Sequence, residues 1–254
     1  MPTPRPFSDA SADPPVRGFL HSPATPNGKG LVLSHGAGSN ANAPLLIALA
    51  ETFSAAGFTV LRCDLPYRQT RSYGPPGPGD AARDRAGLKN AIAALLRTMA
   101  VPPFAVFEGW EKQELELVAP PLSRSLRQGG NTDQIFLAGH SYGGRQSSML
   151  CAEEPDLVSG LLLLSYPLHP PRRPEQQRTG HLPSLRTPAL FVHGTRDPFG
   201  SIAEIQQALK MIPAPTKLLA VEGAGHDLRF KGKPRNEGLL AAVLTEFQKL
   251  EVRS

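Results

Sequence analysis

Cysteine is scarce: the 254-residue chain carries two, Cys63 and Cys151, beside a single tryptophan, Trp110. Two cysteines cannot build the disulfide framework of a small secreted scaffold, and no cysteine and histidine cluster has the spacing of a zinc site. Both are expected to be buried structural thiols, Cys63 closing a strand and Cys151 closing a helix. Long apolar runs are missing as well. The longest aliphatic run, Leu161 to Leu164, is far too short to cross a bilayer, and the opening "MPTPRPFSDASADPPVR" offers no signal-peptide core. The expectation is a soluble, cytoplasmic protein with no membrane partner. A net charge of +5 is mildly basic, but the arginines are spread along the chain. They lack the clustering and interleaved aromatics that a nucleic-acid footprint requires. Neither nucleic acid, metal nor cofactor is expected.

What the chain has in excess is glycine (24) and proline (27), which must sit mostly in loops. Its length suits one large α/β domain. The expected organisation is a flexible segment over 1–15 and a single domain over 16–254, interrupted by an insertion over 102–131. Short apolar runs alternate with helical patterns, which predicts βα units and a mostly parallel central sheet with helices on both faces. Strands are predicted at 30–34, 59–63, 134–138, 160–165, 189–193 and 217–221, with an edge strand near 16–21. Most are continuously apolar, as strands covered on both faces should be. Helices are predicted at 44–55, 84–99, 142–152, 201–211 and 237–250. Leu88, Ile92, Leu95, Leu96 and Met99 mark the apolar stripe of one of them. Ser201 and Glu204 have the spacing of a capping box.

Two Pro/Gly/Arg-rich segments, 65–83 and 166–188, leave strand C-termini, the side on which parallel α/β sheets place their ligand crevice. Tyr67, Arg68, Tyr166 and His169 are therefore candidates for lining a substrate pocket, although His169 could equally brace its own loop. The 102–131 segment enters a strand and is expected at the opposite rim. Arg68, Arg71, Arg145, Arg172, Arg173 and Arg178 could together attract a carboxylate or phosphate. A solvated basic surface is the plainer reading of the same six.

The chemistry gathers around "GHSYGG", Gly139 to Gly144, which follows the apolar run "QIFLA" and precedes a predicted helix. A serine hydroxyl is a weak nucleophile that needs a histidine base, an acid to orient that histidine, and donors for an oxyanion. A G-x-S-x-G turn between strand and helix presents such a serine, here Ser141, and calls for an acid and then a histidine at later strand ends. Asp197 follows "ALFVH" and His226 follows "KLLAV", in the required order. A turn or capping role is the plainer reading of Asp197, but rival acids are poorly placed: Glu175 lies far along its loop, and Asp227 adjoins the histidine it would orient. Among seven histidines only His226 follows the last strand. His35 and His140 flank glycine turns, where anchoring the backbone is the commoner role, and His193 reads as a core residue. The oxyanion donors would be the main-chain N–H groups of Tyr142 and of Ala37, with Gly36 close behind.

"HGAG", "GHSYGG", "GTRD" and "GAGHD", in this order, resemble the α/β-hydrolase superfamily over essentially the whole chain. "RCDLPYR", "SYPLHPP" and "GTRDPFG" are similar to its dienelactone-hydrolase-like branch of predicted α/β-hydrolases. That branch shares its domain with a regulatory subunit of a chromatin acetyltransferase complex. Where dienelactone hydrolases themselves use cysteine, this chain has serine. The resemblance implies an α/β-hydrolase fold and a serine hydrolase acting on a small-molecule ester or thioester. A noncatalytic interaction module on the same fold is the alternative.

Overall fold

In the computed structural model, residues 3–100, 134–228 and 237–251 are described. Eight strands form one sheet: β1 (Arg5–Asp9), β2 (Val16–His21), β3 (Lys29–Ser34), β4 (Thr59–Cys63), β5 (Gln134–His140), β6 (Gly160–Leu164), β7 (Ala189–Gly194) and β8 (Thr216–Val221). Their spatial order is β1-β2-β4-β3-β5-β6-β7-β8. β2 runs antiparallel to both β1 and β4, and every other pairing is parallel. This is the α/β-hydrolase fold, mostly parallel with helices on both faces.

Alternation along the strands sorts the core into two layers. Leu31, Leu33, Phe136, Ala138, Leu162, Leu164, Leu190 and Val192 face the helices α1 (Pro44–Ala55) and, at the C-terminal end, α6 (Glu237–Glu251), where Phe53, Phe136 and Phe247 pack edge to face. Val32, Leu137, Leu161, Leu163 and Phe191 face the other way. There they meet α3 (Asp80–Ala100), α4 (Tyr142–Glu153) and α5 (Ile202–Leu209) through Leu88, Ile92, Leu95, Leu150 and Ile205. Cys63 and Cys151 are buried free thiols, both pushed up to about 12 by burial. Ser201 and Glu204 form the capping box at the start of α5. Among the described residues no helix is long and apolar enough to cross a membrane.

Three expectations change. The N-terminal segment expected to be flexible contains β1, which pairs with β2 and is tied to α3 by Arg97 and Asp9 at 2.5 Å. The 65–83 segment is not loop throughout. Pro66 starts a short helix, α2 (Pro66–Thr70), at the position where a missing N–H costs nothing. α3 begins four residues earlier than the apolar stripe indicates, with Asp80 favourably placed in its first turn. The 102–131 insertion lies outside the described residues.

Candidate active site

The parallel strands β3, β5, β7 and β8 all end at one edge of the sheet, and the chain reverses there in tight turns. After β5 the turn is strained. Ser141 has φ 51° and ψ −116°, and its N–H is held by the Leu164 carbonyl of β6 at 2.8 Å. Such a conformation costs energy for a non-glycine residue and persists only where its surroundings enforce it. The neighbouring glycines show what enforces it: a Cβ at Gly139 would lie 2.4 Å from the Gly144 nitrogen, and one at Gly143 would lie 2.6 Å from the His35 carbonyl oxygen. Strand end and helix start are pressed together too tightly for side chains, which leaves Ser141 standing out of the turn.

The structure brings Ser141, His226 and Asp197 together. The Ser141 hydroxyl donates to His226 Nε2 at 2.8 Å, and His226 Nδ1–H donates to Asp197 Oδ2 at 2.8 Å. The Asp197 side chain is fully buried, and its other oxygen, Oδ1, accepts the Phe199 N–H at 2.9 Å. The Phe199 ring lies 4.2 Å from the His226 ring, centre to centre, and covers one face of it. His140, at the same edge, donates Nε2–H to the His226 carbonyl at 2.8 Å. Burial pushes His140 down to about 4, so near neutral pH it braces the turn as an uncharged ring. His193 is also buried, is lowered by that burial, and donates to the Gly200 carbonyl at 2.8 Å.

The two expected oxyanion donors are the main-chain N–H groups of Tyr142 and Ala37. Tyr142 is the first residue of α4, so its N–H is one of those that a helix leaves without an internal partner. The loop after β3 brings Gly36 against Ser141, since a Cβ there would lie 3.3 Å from Ser141 Cβ. The Gly36 carbonyl accepts from His35 Nδ1–H at 2.9 Å, from the Ser39 N–H at 3.0 Å and from the Tyr67 hydroxyl at 3.2 Å. In a trans peptide the N–H points opposite to the C=O, so anchoring this carbonyl fixes the direction of the Ala37 N–H. His35 can donate from Nδ1 because its Nε2 accepts the Leu65 N–H at 3.1 Å, and burial holds the ring's pKa down.

Of the residues expected to line the pocket, Tyr67, Arg68 and Tyr166 spend their polar groups on the protein. Tyr67 also donates to the Ala37 carbonyl at 2.8 Å. Arg68 is 92% buried by exposure of only 8%, and it donates to the carbonyls of Ala37, Ser39, Arg71 and Gly74. Tyr166 donates to the Arg178 carbonyl at 3.0 Å. His169 donates to the Pro170 carbonyl at 2.8 Å, with Nε2 3.5 Å from Glu204 Oε1. These four therefore brace the crevice loops, because the many carbonyls of Pro/Gly-rich segments need donors.

One residue escaped sequence reasoning altogether. Asp84 is fully buried, accepting the Tyr142 hydroxyl at 2.7 Å and the Tyr67 N–H at 3.1 Å. Its signal was present: it stands four residues before Leu88, a carboxylate on the apolar stripe of α3, where only a partnered acid is tolerated.

A family model described as an alpha/beta hydrolase domain matches residues 113–248. Among solved structures, a dienelactone hydrolase from Anabaena variabilis superposes with a TM-score of 0.65 at 20% identity, covering 99% of this chain and 98% of that one. An alpha-beta serine hydrolase homologue from Coxiella burnetii gives 0.63 at 15% identity, covering 100% and 98%. Est1E from Butyrivibrio proteoclasticus gives 0.64 at 16%, covering 98% and 99%. At such identities the likeness is one of fold. A stretch of 48 residues is 48% identical to polyketide synthase ThaQ of Burkholderia thailandensis, covering 19% of this chain and 2% of that protein.

Proposed function

Since the chain belongs to the alpha/beta hydrolase family, we propose that it is a serine hydrolase cleaving an ester or thioester of a small-molecule acyl substrate. The observation that carries this reading is the continuous relay from the Ser141 hydroxyl through His226 to buried Asp197, with both links at 2.8 Å.

Ser141 Oγ attacks the acyl carbon while His226 Nε2 takes its proton, and the carbonyl π electrons move onto oxygen. The N–H groups of Tyr142 and Ala37 receive that oxyanion. Collapse of the tetrahedral intermediate expels the alcohol or thiol, which leaves with the proton held on His226, and an acyl-Ser141 ester remains. Water repeats the sequence: His226 removes its proton, the acid is released, and the proton returns to Ser141. Asp197 keeps the imidazole in the tautomer with Nε2 free and stabilises the imidazolium formed in each half.

A fluorophosphonate probe tests the reading. Labelling of folded protein that disappears in Ser141→Ala, together with turnover of short acyl esters or thioesters, supports it. No labelling of the folded wild-type protein sinks it, and leaves the noncatalytic interaction module as the reading to pursue.

A further inference from the structure

The five arginines of the crevice loops and Arg145 of α4 have quite different surroundings. Arg68 is consumed by four carbonyls, and Arg71 pairs with Asp80. Arg172 and Arg173 stand in solvent. Arg145 and Arg178 are different from all of these. Both are half-buried, and neither meets a carboxylate among the described residues. Arg145 Nε is fully shielded from solvent and has no hydrogen-bond partner. Arg178 places one guanidinium nitrogen 3.3 Å from the Pro167 carbonyl. The two charges sense one another: burial and then the Arg145 charge lower the pKa of Arg178.

Around them lie groups that add no negative charge. His181 Nε2–H donates to Ser148 Oγ at 2.8 Å, and Ser148 donates to the Arg145 carbonyl at 2.9 Å. Burial and the neighbouring Arg145 push His181 down to about 4, so it is neutral near pH 7. Two partly desolvated guanidinium groups without an acid are an unfavourable arrangement unless something compensates them. Their position says what that is for. The Arg145 N–H bonds to the Ser141 carbonyl at 3.0 Å, which places its backbone in the first turn of α4, directly after the proposed nucleophile. Tyr166, which senses the charges of both arginines, follows Leu164 by two residues, and Leu164 accepts the Ser141 N–H.

We infer that Arg145 and Arg178 form an oxyanion-binding subsite beside Ser141 that takes a carboxylate or phosphate carried by the acyl substrate. Guanidinium groups suit this because they present planar paired donors to either anion. The inference rests on the serine-hydrolase reading for the substrate, and binding of the anion itself does not depend on catalysis.

The test has two arms. In the first, inorganic phosphate is titrated into Ser141→Ala protein by calorimetry and, with wild-type enzyme, used as an inhibitor. Binding that weakens at least tenfold in Arg145→Gln and in Arg178→Gln, with competitive inhibition, is expected. In the second, kcat/KM is measured for the p-nitrophenyl ester of a dicarboxylic acid monoanion and for the neutral ester of matched length. The anionic-to-neutral ratio should fall at least tenfold in either glutamine variant, recover in part in Arg145→Lys, and decline with added salt in the wild type. An unchanged ratio, or phosphate binding equal in all variants, overturns the subsite. Binding without competition assigns the site to a free anion and overturns the substrate role. Loss of the hydrolase reading would show instead as wild-type protein that turns over neither ester while still binding phosphate.

Discussion

Asp84 joins the two halves of the proposed oxyanion site: one carboxylate oxygen accepts the hydroxyl of Tyr142 at 2.7 Å, and the other accepts the N–H of Tyr67 at 3.1 Å. Tyr142 supplies one donor through its own main chain, and Tyr67 reaches the Gly36 and Ala37 carbonyls with its hydroxyl. The rings of the two tyrosines also meet edge to face, 5.9 Å apart. A buried acid thus spans from α3 to both donor-bearing turns. Tyr142→Phe and Tyr67→Phe should each lower kcat by about five- to thirtyfold while KM changes little, since one lost hydrogen bond costs about 1–2 kcal/mol. The double variant should show coupling of at least about 0.5 kcal/mol in the transition-state free energy. Loss of melting temperature with unchanged kcat would show that the network serves the fold alone.

Asp84 also makes a prediction about pH. Burial raises its pKa even though two donors oppose the shift. The folded protein therefore holds this proton more tightly than the unfolded chain does. As pH rises from the unfolded carboxylate range, near ~3.9, through the raised folded value, the unfolded state deprotonates first and wild-type stability falls through this group. Asparagine keeps the shape, accepts the Tyr67 N–H and can donate to the Tyr142 oxygen. The stability of Asp84→Asn relative to wild type should therefore improve across that window and level off above it. Urea unfolding at a series of pH values measures the difference, and a flat difference would contradict the placement of this carboxylate.

The loop after β3 contains two glycines of unequal importance. A Cβ at Gly36 would come within 2.9 Å of His140 Nδ1 and 3.3 Å of Ser141 Cβ, whereas a Cβ at Gly38 would meet nothing within 4 Å. Gly36→Ala should cost about 1–3 kcal/mol by overpacking and depress activity by moving the Ala37 N–H. Gly38→Ala should leave melting temperature and kcat close to wild type. Equal effects at the two positions would mean that the loop does not approach Ser141 as described.

The parts of this architecture that were legible in the sequence are those set by local chemistry. A glycine turn after an apolar strand marks Ser141, and Asp197 and His226 follow later apolar runs in the expected order with rival acids and histidines poorly placed; the fold then brings the three side chains together. β1 was hidden because "RPFSD" has no apolar alternation. Its order comes from register with β2 and from Asp9 meeting Arg97, which are long-range contacts. The bracing contacts of Arg68 are illegible for a related reason: composition marks a loop but not which carbonyls a guanidinium reaches. The shielding of Arg145 Nε likewise depends on long-range packing that composition does not reveal.

The geometry around Asp197 predicts how its amide would behave. Oδ1 accepts the Phe199 N–H at 2.9 Å, while Oδ2 accepts His226 Nδ1–H at 2.8 Å. In Asp197→Asn the Phe199 N–H holds the single remaining acceptor oxygen, so the NH₂ group must face His226. An NH₂ group can only donate, which forces Nδ1 to accept and moves the ring proton to Nε2. That nitrogen then cannot take the proton of Ser141. The variant should fold, because shape and the Phe199 contact survive, yet kcat should drop by roughly 10⁴ and fluorophosphonate labelling of Ser141 should slow in step. A drop of less than tenfold in folded protein would show that His226 is not oriented through Asp197.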